Sequence, residues 1–490
     1  MRQGDTETAV PASGIATRRF QDLPGPKGVP FFGNALQIEK NRVHEQFELW
    51  SREFGPFFRV RIGPRRLLVV SDHAVIASVL RDRPKAFRRP THHGDIVREM
   101  GFELGLFFVN DEVWKNQRRM VMAAFDPGHL RAYFPSLLNV VQRLHGRWDR
   151  AAKAGGEIDL QADLMRYTVD AIAGLAFGSD VNTLESDDDT IQRHLNQIFP
   201  AIARRVTASV RYWRFVKLPA DRRLERSVRE VKMAIEDFII QARKRILEPA
   251  ANGRPRNLLE AMIAAEDGSN TSDRDIAGNV VTMLLAGEDT TANTMAWMLD
   301  LLYRDPDALR RAREEVRRIA PDVSRFTIDQ MDELNFVEAC IHETMRLKPV
   351  APLLPSQANG DTVIADIEVP ADTIVIGLMR RDATDDRYFP EPEKFDPDRW
   401  LGGGPHSPNA KSPTRVSMPF GAGPRLCPGR NLALLEIKMA MAMLLGNFSI
   451  DRVGAADGKP ARELFAFAMG PVGLRMKLST AQMTCGASAT

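Results

Sequence analysis

A single cysteine stands in a glycine-rich segment whose residue types suit a metal-binding thiolate. The segment runs from Phe420 to Gly429 and reads Phe-Gly-Ala-Gly-Pro-Arg-Leu-Cys-Pro-Gly, with a predicted apolar helix directly after it. A helix N-terminus carries partial positive charge and unpaired N–H groups, so it favours the deprotonated form of the Cys427 thiol. Amides aimed at a thiolate also tune how much electron density it gives to a metal. Arg425 adds a fixed cation for an anionic group nearby.

A second candidate site interrupts the longest predicted helix, which starts after Ser272 and runs without a proline for about thirty residues. Such a helix is longer than most helices of globular proteins, so it is expected to run through the whole molecule. Its middle reads Ala-Gly-Glu-Asp-Thr-Thr from Ala286 to Thr291, where glycine and threonine weaken a helix. The Thr290 hydroxyl can donate to the Ala286 carbonyl and disturb the helix locally. A local defect in an otherwise strong element indicates function.

Two further pairs of residues stand at helical spacing. Trp114 and Arg118 are four apart in a helix predicted over 111–124, so they share one face. Glu343 and Arg346 are three apart and can form an ion pair. Surface pairs of this kind are common and weak, so neither pair identifies a function by itself.

Together these segments resemble those of the cytochrome P450 family. The family's haem-binding loop reads Phe-x-x-Gly-x-Arg-x-Cys-x-Gly, which is matched by Phe420, Gly423, Arg425, Cys427 and Gly429. Five fixed positions are expected to match by accident about once in ten thousand chains of this length. A buried cysteine in a helix cap is the simpler alternative, but it needs no frame of arginine and glycine. The resemblance implies haem b (iron protoporphyrin IX) with the Cys427 thiolate as its axial ligand.

The resemblance also implies which cations hold the haem propionates. Trp114 and Arg118 match the family's Trp-x-x-x-Arg, whose side chains hold a propionate. Many relatives place another arginine near the position of Ser356, and this chain has none there. The expected clamp therefore consists of Trp114, Arg118 and Arg425.

The interrupted helix resembles the family's oxygen groove, Ala-Gly-x-Asp/Glu-Thr-Thr. This likeness implies that Thr290 hydrogen-bonds dioxygen and a water. Asp289 is expected to relay protons from solvent, because a partly buried carboxylate can accept and release them near neutral pH. Glu288 stands beside this pair, and we assign it no role.

A third likeness concerns Glu343, Arg346 and Arg399, the last of which lies in a proline-rich stretch downstream. In the family these three side chains form a buried network that locks the segment leading to the cysteine loop. Their expected role is structural.

The fold implied by the resemblance is mainly α with a small β-rich lobe, the triangular prism of the cytochrome P450 family. A single haem domain is expected over 23–478, between flexible tails at 1–22 and 479–490. The chain has 490 residues with 44% hydrophobic and 27% charged content, and the first 22 residues contain no apolar run. Its three cysteines lie far apart, which excludes a disulfide framework and a cysteine zinc site. We therefore expect a cytoplasmic monomer without a transmembrane segment.

Further elements follow from periodicity and turn residues. A helix is predicted at 44–54, a hairpin over 57–62 and 66–70, irregular chain at 88–110, and a C-terminal hairpin at 464–478 around Gly470-Pro471. His92 and His93 are expected in an exposed loop, whereas Phe102, Leu104, Phe107 and Phe108 are either pocket walls or core. The resemblance implies a mobile lid at 198–215.

We therefore predict a haem-thiolate monooxygenase that inserts one atom of dioxygen into a C–H bond of a hydrophobic small molecule. A fatty acid, a terpenoid, a steroid and a polyketide all remain open as substrate. Electrons are expected from NAD(P)H through a separate ferredoxin or flavodoxin-type donor and its reductase, since 490 residues leave no room for a fused reductase. Possible contacts for an acidic donor are Lys115, Arg119, Arg430 and Lys438. The net charge of +3 and the lack of a basic stripe argue against nucleic acid.

Two alternatives remain open. One is a haem-thiolate peroxygenase, isomerase or dehydratase that needs no redox partner. The other is a haem-binding sensor or carrier without turnover. The intact pair of Asp289 and Thr290 favours the monooxygenase over the first of these.

Overall fold

The computed structural model describes residues 17–178, 180–186, 190–208, 211–247, 255–265, 272–402, 413–455 and 457–480. The α-helices of these residues are α1 Val43–Phe54, α2 His73–Arg81, α3 Thr91–Glu99, α4 Asp111–Ala124, α5 Pro127–Lys153, α6 Leu160–Phe177, α7 Thr190–Thr207, α8 Pro219–Ile246, α9 Leu258–Ala264, α10 Asp273–Arg304, α11 Pro306–Ile319, α12 Ile328–Asp332, α13 Asn335–Leu347, α14 Pro413–Val416 and α15 Arg430–Asn447. The strands are β1 Arg18–Arg19, β2 Phe57–Ile62, β3 Arg65–Val70, β4 Phe87–Arg88, β5 Ile158–Asp159, β6 Leu353–Ala358, β7 Thr362–Ile364, β8 Ile367–Val369, β9 Ile374–Leu378, β10 Phe448–Ala455, β11 Glu463–Phe465, β12 Met469–Pro471 and β13 Leu474–Thr480.

The β-rich lobe is built on a five-stranded sheet in the order β2-β3-β9-β6-β4. The β2–β3 hairpin is antiparallel and turns at Gly63, whose positive φ of 57° suits a glycine. β3 pairs in parallel with β9, and β9 pairs antiparallel with β6. Smaller sheets have the orders β1-β8-β7, β10-β13-β5 and β11-β12.

α10 is the central helix of the α-rich part, and its start is fixed as the sequence predicts. The Ser272 amide donates to Asp275 Oδ2 over 2.9 Å, and Asp275 N donates back to Ser272 Oγ over 3.4 Å, which completes a capping box. Buried residues cover nearly its whole circumference between Ile276 and Leu302. Such a helix must be enclosed by others, and it packs against α6, α13 and α15.

Several predicted elements are confirmed at nearly the predicted bounds. These include α1, the β2–β3 hairpin, α4, and the helix breaks after Lys153, after Phe177 and before Pro219. The cysteine loop is followed by α15, as expected. No helix among the described residues is both long and apolar enough to cross a membrane.

Other predictions are wrong. Residues 91–99, predicted to be irregular, form α3, and His92 and His93 lie half-buried on it rather than exposed in a loop. The predicted N-terminal tail ends earlier than residue 22, because Arg18 pairs with Ile367 and Phe20 is buried. The final hairpin turns at 466–468 between β11 and β12, not at Gly470-Pro471. Residues 1–16 and 481–490, with Cys485, lie outside the described part of the chain.

A buried ion network joins α13 to the chain that leads to the cysteine loop. Arg346 donates to both Glu343 oxygens over 2.8 and 2.7 Å, and both side chains are fully buried. Arg399 Nε and Trp400 Nε1 also reach Glu343, over 3.3 and 2.9 Å. Arg346 Nη1 further donates to the carbonyls of Ala383 and Pro392. Glu343, Arg346 and Arg399, which the resemblance places in one buried network, are therefore in contact in the structure.

Replacing Arg399 by Gln is expected to lower the free energy of unfolding by about 3–5 kcal/mol, because it leaves a buried carboxylate short of a partner. Arg310→Gln is the matched control, since Arg310 forms exposed ion pairs with Asp307 and Glu314. Its expected cost is below about 1 kcal/mol. Urea denaturation followed by circular dichroism measures both, and equal costs would contradict the structural role of the network.

Glu436, on α15, is a buried acid like Glu343, and its side chain is 3% exposed. Burial raises the pKa of its carboxyl to about 8. The phenols of Tyr133 and Tyr167 lie close by, and burial followed by the Glu436 charge raises the pKa of each. The folded protein thus keeps a proton that the unfolded chain releases near pH 4.3, by the reference value of about 4.3 for glutamic acid.

Between about pH 4.3 and pH 8 unfolding releases this proton, so Glu436 makes stability fall as pH rises, by at most about 1.4 kcal/mol per pH unit. In Glu436→Gln this contribution is absent. The melting temperature of the variant relative to wild type is therefore expected to increase between pH 5 and pH 8. Glu393→Gln, at an exposed position, is the control. A melting-temperature difference that stays constant across this pH range would refute the prediction.

Candidate active site

The cysteine loop is held by short backbone hydrogen bonds and by close contact with α2. Cys427 N donates to the Phe420 carbonyl over 3.0 Å, which closes the loop on itself. Gly423 has a φ of +71°, and a Cβ at this position would lie 2.6 Å from Arg81 Cα. Only glycine therefore fits both the conformation and the space.

Cys427 is exposed, although the protein atoms around it desolvate its thiol. Burial raises the pKa of the thiol, and the Gly429 N–H bond and the Arg118 charge lower it in part. The N-terminus of α15 was expected to lower this pKa, but the effect of burial is larger. A metal cation bound to the sulfur favours the thiolate far more strongly than these groups do.

Thr290 makes the side-chain hydrogen bond that the sequence predicts, but α10 continues without interruption from Asp273 to Arg304. Thr290 Oγ1 donates to the Ala286 carbonyl over 2.7 Å, and Thr294 Oγ1 repeats this bond one turn later with the Thr290 carbonyl over 2.8 Å. Ala286 is exposed although the helix around it is buried. Burial raises the pKa of the Asp289 carboxyl to about 6, so this group can gain or lose a proton near neutral pH.

Arg425 lies over Trp114, with its guanidinium carbon 4.6 Å from the ring centre. Its Nη2 donates to Val109 O over 2.8 Å and to Asn110 Oδ1 over 3.0 Å. Its Nε is buried and has no hydrogen-bond partner in the described chain. Trp114, Arg118 and Arg425 are therefore brought close to the cysteine, as the resemblance implies.

Arg89 belongs to the same cluster, and sequence reasoning missed it. Asn110 ties the two arginines together, because it accepts from Arg89 N over 2.9 Å and from Arg425. The Arg89 guanidinium lies over Phe107 at 4.3 Å, and its Nε likewise lacks a partner within the described ranges. The sequence signal was only two adjacent arginines before a proline, which does not distinguish Arg89 from Arg88. Ser356 supplies no cation, and Arg89 adds one beside Arg425.

The charges of this cluster test whether its residues fit haem b. Burial and then the neighbouring Arg89 lower the pKa of Arg425 to about 9, and burial lowers that of Arg89 to about 10. Burial and the charges of Arg89 and Arg425 lower the pKa of Arg83 to about 8. Buried like charges of this kind require an anion. The two propionates of a haem are such anions, so the arginines and the Cys427 thiol together fit an iron porphyrin.

The four residues predicted to be either pocket walls or core differ in how deeply they are buried. Phe102 and Phe108 are buried in the main core, whereas Leu104 and Phe107 are only partly buried. Phe107 approaches Phe467, at the turn of the β11–β12 hairpin, with ring centres 6.2 Å apart. Phe107, one of these four residues, therefore contacts the β11–β12 hairpin.

The residues proposed for donor docking are not equivalent. Lys115, Arg119 and Arg430 are exposed. Lys438 is only 5% exposed and pairs with Glu338 over 2.9 Å, so it is not available to a partner. The expectation for Lys438 was wrong because α15 is buried on nearly all sides.

Comparison with known proteins agrees with this geometry. The family model described as Cytochrome P450 matches residues 23–478. Cytochrome P450 4F6 of Rattus norvegicus is 29% identical over 93% of this chain and 87% of its own length. Protein LUTEIN DEFICIENT 5, chloroplastic, of Arabidopsis thaliana is 26% identical over 90% of this chain and 74% of its own length.

A self-sufficient cytochrome P450 monooxygenase, CYP505E3 of Phanerodontia chrysosporium, is 27% identical over 87% of this chain, which spans 40% of that protein. Among solved structures, the cytochrome P450DA haem domain superposes with a TM-score of 0.82 at 22% identity, covering 96% of this chain and 99% of that one. This structural likeness shows the fold, and the family model adds the family. The chain therefore belongs to the cytochrome P450 family and is a monooxygenase whose haem is held by a cysteine thiolate.

Proposed function

We propose that the protein hydroxylates a hydrophobic small molecule, such as a fatty acid, a terpenoid, a steroid or a polyketide, by inserting one atom of dioxygen into a C–H bond. Electrons come from NAD(P)H through a separate ferredoxin or flavodoxin-type donor. The observation that carries this proposal is the adjacent pair of Asp289 and Thr290 in the middle of α10, where the carboxyl has a pKa of about 6 and the hydroxyl donates its proton to the Ala286 carbonyl.

When haem is bound, the Cys427 thiolate donates electron density to its iron, and the group supplies the activation of dioxygen. The chain's own residues manage protons. The Thr290 proton points at the Ala286 carbonyl, so its oxygen lone pairs are available to accept a hydrogen bond from a water. The Asp289 carboxyl can take a proton from solvent and release it toward that water.

The apolar character of the substrate is supported by the surroundings of the site. Phe107 and Phe467 are partly exposed aromatic side chains in contact with each other, and both pack against the main core. An apolar wall favours an apolar ligand and excludes water from the reacting region.

A separate donor is supported by the exposed cations Lys115, Arg119 and Arg430. Arg430 is the first residue of α15, three residues after Cys427. An acidic protein docked there would lie near the sulfur, and charge complementarity of this kind chiefly raises the association rate. The widely spaced cysteines suit a reducing compartment, so we place the protein in the cytoplasm.

Cys427→Ser is expected to abolish the far-shifted Soret band of the reduced, carbon-monoxide-treated protein, because an alcohol does not replace a thiolate as an electron-donating ligand. The matched control is Cys340→Ser, which makes the same change at a buried cysteine of α13. The control should keep the band. A Cys427 variant with an unchanged band would remove the assigned ligand.

Thr290→Ala is expected to divert reducing equivalents to hydrogen peroxide. The yield of hydroxylated product per NAD(P)H should fall on the order of tenfold, since one hydrogen bond of about 1–1.5 kcal/mol is lost. Thr294→Ala is the control, because Thr294 makes the same bond to the helix one turn away. Product and peroxide are measured in a reaction with a surrogate donor. Unchanged coupling would contradict the role of Thr290, and turnover with peroxide alone would favour the peroxygenase.

A further inference from the structure

Residues 102–110, between α3 and α4, are hydrogen-bonded to both α10 and α4, and we call them the wall loop. The Leu106 amide donates to Asn279 Oδ1 on α10 over 2.8 Å. The Leu104 carbonyl accepts from Gln117 Nε2 on α4 over 3.1 Å. Asn279 and Gln117 are each 1% exposed, so water does not compete for these bonds.

The two side chains that hold the wall loop are themselves fixed by Asp275, one turn before Asn279 on α10. Asn279 Nδ2 donates to the Asp275 carbonyl over 2.8 Å, and Gln117 Nε2 donates to Asp275 Oδ1 over 2.9 Å. Asp275 also belongs to the capping box that starts α10. The loop is therefore attached to side chains whose positions are determined by the start of a helix.

Close contact between two glycines brings the backbone of the wall loop against α10. A Cβ at Gly105 would lie 2.1 Å from the Gly278 carbonyl oxygen, and a Cβ at Gly278 would lie 2.6 Å from the Leu104 carbonyl carbon. Both positions therefore require glycine, because a side chain would force the loop and the helix apart. After this contact the Phe108 amide donates to the Gly105 carbonyl over 2.9 Å, which closes a turn.

The other end of the wall loop is held beside the cysteine loop. The Val109 carbonyl and Asn110 Oδ1 both accept from Arg425 Nη2, over 2.8 and 3.0 Å. Phe107 lies between the two ends, with its ring centre 6.2 Å from that of Phe467. The position of Phe107 is thus determined from α10 on one side and from the cysteine loop on the other.

We propose that Asn279 is a positioning residue that holds the wall loop folded before a substrate binds, so that Phe107 forms a preformed apolar wall. The hydrogen bonds that fix the loop run between groups of the protein, so they do not depend on a ligand. A preformed wall removes the entropic cost of ordering the loop on binding, which raises the affinity for ligands that reach it. The proposal rests on the proposed function only in taking Phe107 as a wall of the substrate region.

Hydrogen–deuterium exchange of the haem-loaded wild type, with and without 4-phenylimidazole, tests whether the loop is preformed. The ligand is added until the shift of the Soret band saturates. The exchange rate of the peptide that spans 102–110 should be low without the ligand and change by less than about twofold when it is added. A wall loop that exchanges freely and becomes protected only with the ligand would overturn the proposal.

Asn279→Leu tests the role of Asn279, because it leaves the Leu106 amide without its buried acceptor. Exchange in 102–110 should accelerate about tenfold, the equivalent of one hydrogen bond. The affinity for 4-phenylimidazole should fall by about the same factor, since binding must then order the loop, whereas the affinity for imidazole, which lacks the phenyl ring, should stay unchanged. Asn447→Leu, at the end of α15, is the matched control, since Asn447 Nδ2 makes the same bond to the carbonyl four residues earlier, that of Met443, over 2.8 Å.

Gly105→Ala reaches the same state by a second route, because its added Cβ would press on the Gly278 carbonyl, and it should reproduce both the faster exchange and the selective loss of affinity. Exchange in Asn279→Leu equal to that in Asn447→Leu would show that other contacts hold the loop and would refute the role of Asn279. Equal losses for the two ligands would mean a general disturbance and would also refute it. If neither variant folds, the wild-type comparison still decides whether the wall is preformed. These measurements need no turnover, so their failure is distinct from a failure of the proposed function, which the coupling of Thr290→Ala tests.

Discussion

The burial of four guanidinium groups beside the cysteine loop is the constraint on which the site depends. These groups come from three parts of the chain, and burial lowers the pKa of each: Arg83 and Arg89 lie six residues apart, Arg118 lies on α4, and Arg425 lies in the cysteine loop. Charges gathered in this way oppose folding unless an anion joins them. A bound group with two carboxylates would convert this repulsion into attraction, so haem binding is expected to stabilise the fold. Within this region the Arg118 charge offsets only part of the effect of burial, which raises the pKa of the Cys427 thiol.

Two sides of the substrate region are held by interactions of different strength. On one side Glu463, at the start of β11, accepts hydrogen bonds from His44, Lys348 and Arg380, and its side chain is 10% exposed. On the other side Glu99 of α3 binds the lid through Arg211, Trp213 and Arg214, where Arg214 is 50% exposed. Exposed ion pairs contribute little, whereas a buried network is costly to break. The contacts of Glu463 therefore hold the hairpin more firmly than the ion pairs of Glu99 hold Arg211 and Arg214.

The parts of the structure that were predictable from sequence are those where chemistry restricts residue type. A thiolate loop requires Cys427 with glycine at 423, and the Thr290 bond requires a hydroxyl four residues after the carbonyl that accepts its proton. Glu343 and Arg346 are close in sequence, so their pairing is local. These features can be predicted because the determining residues are neighbours along the chain or on one helix.

The features that sequence reasoning missed depend on contacts between distant segments. Arg89 acquires its role only because Asn110 holds it beside Arg425, and nothing in its own neighbourhood distinguishes it from Arg88. Lys438 looked available because lysine is usually exposed, but α15 is buried and Glu338 compensates its charge. A proline precedes α3 and a glycine lies within it, and both weaken the helical pattern in the sequence. Nevertheless, Ile96 and Val97 of α3 are buried in the core. Tertiary burial overrode local propensity in each case.

Burial also determines what kind of anion the arginines beside the cysteine loop suit. The Nε of Arg89 and the Nε of Arg425 are buried and have no hydrogen-bond partner among the described residues. An anion bound there loses its hydration and exchanges slowly with solvent. Such an environment suits a resident cofactor better than a ligand that must enter and leave in every turnover.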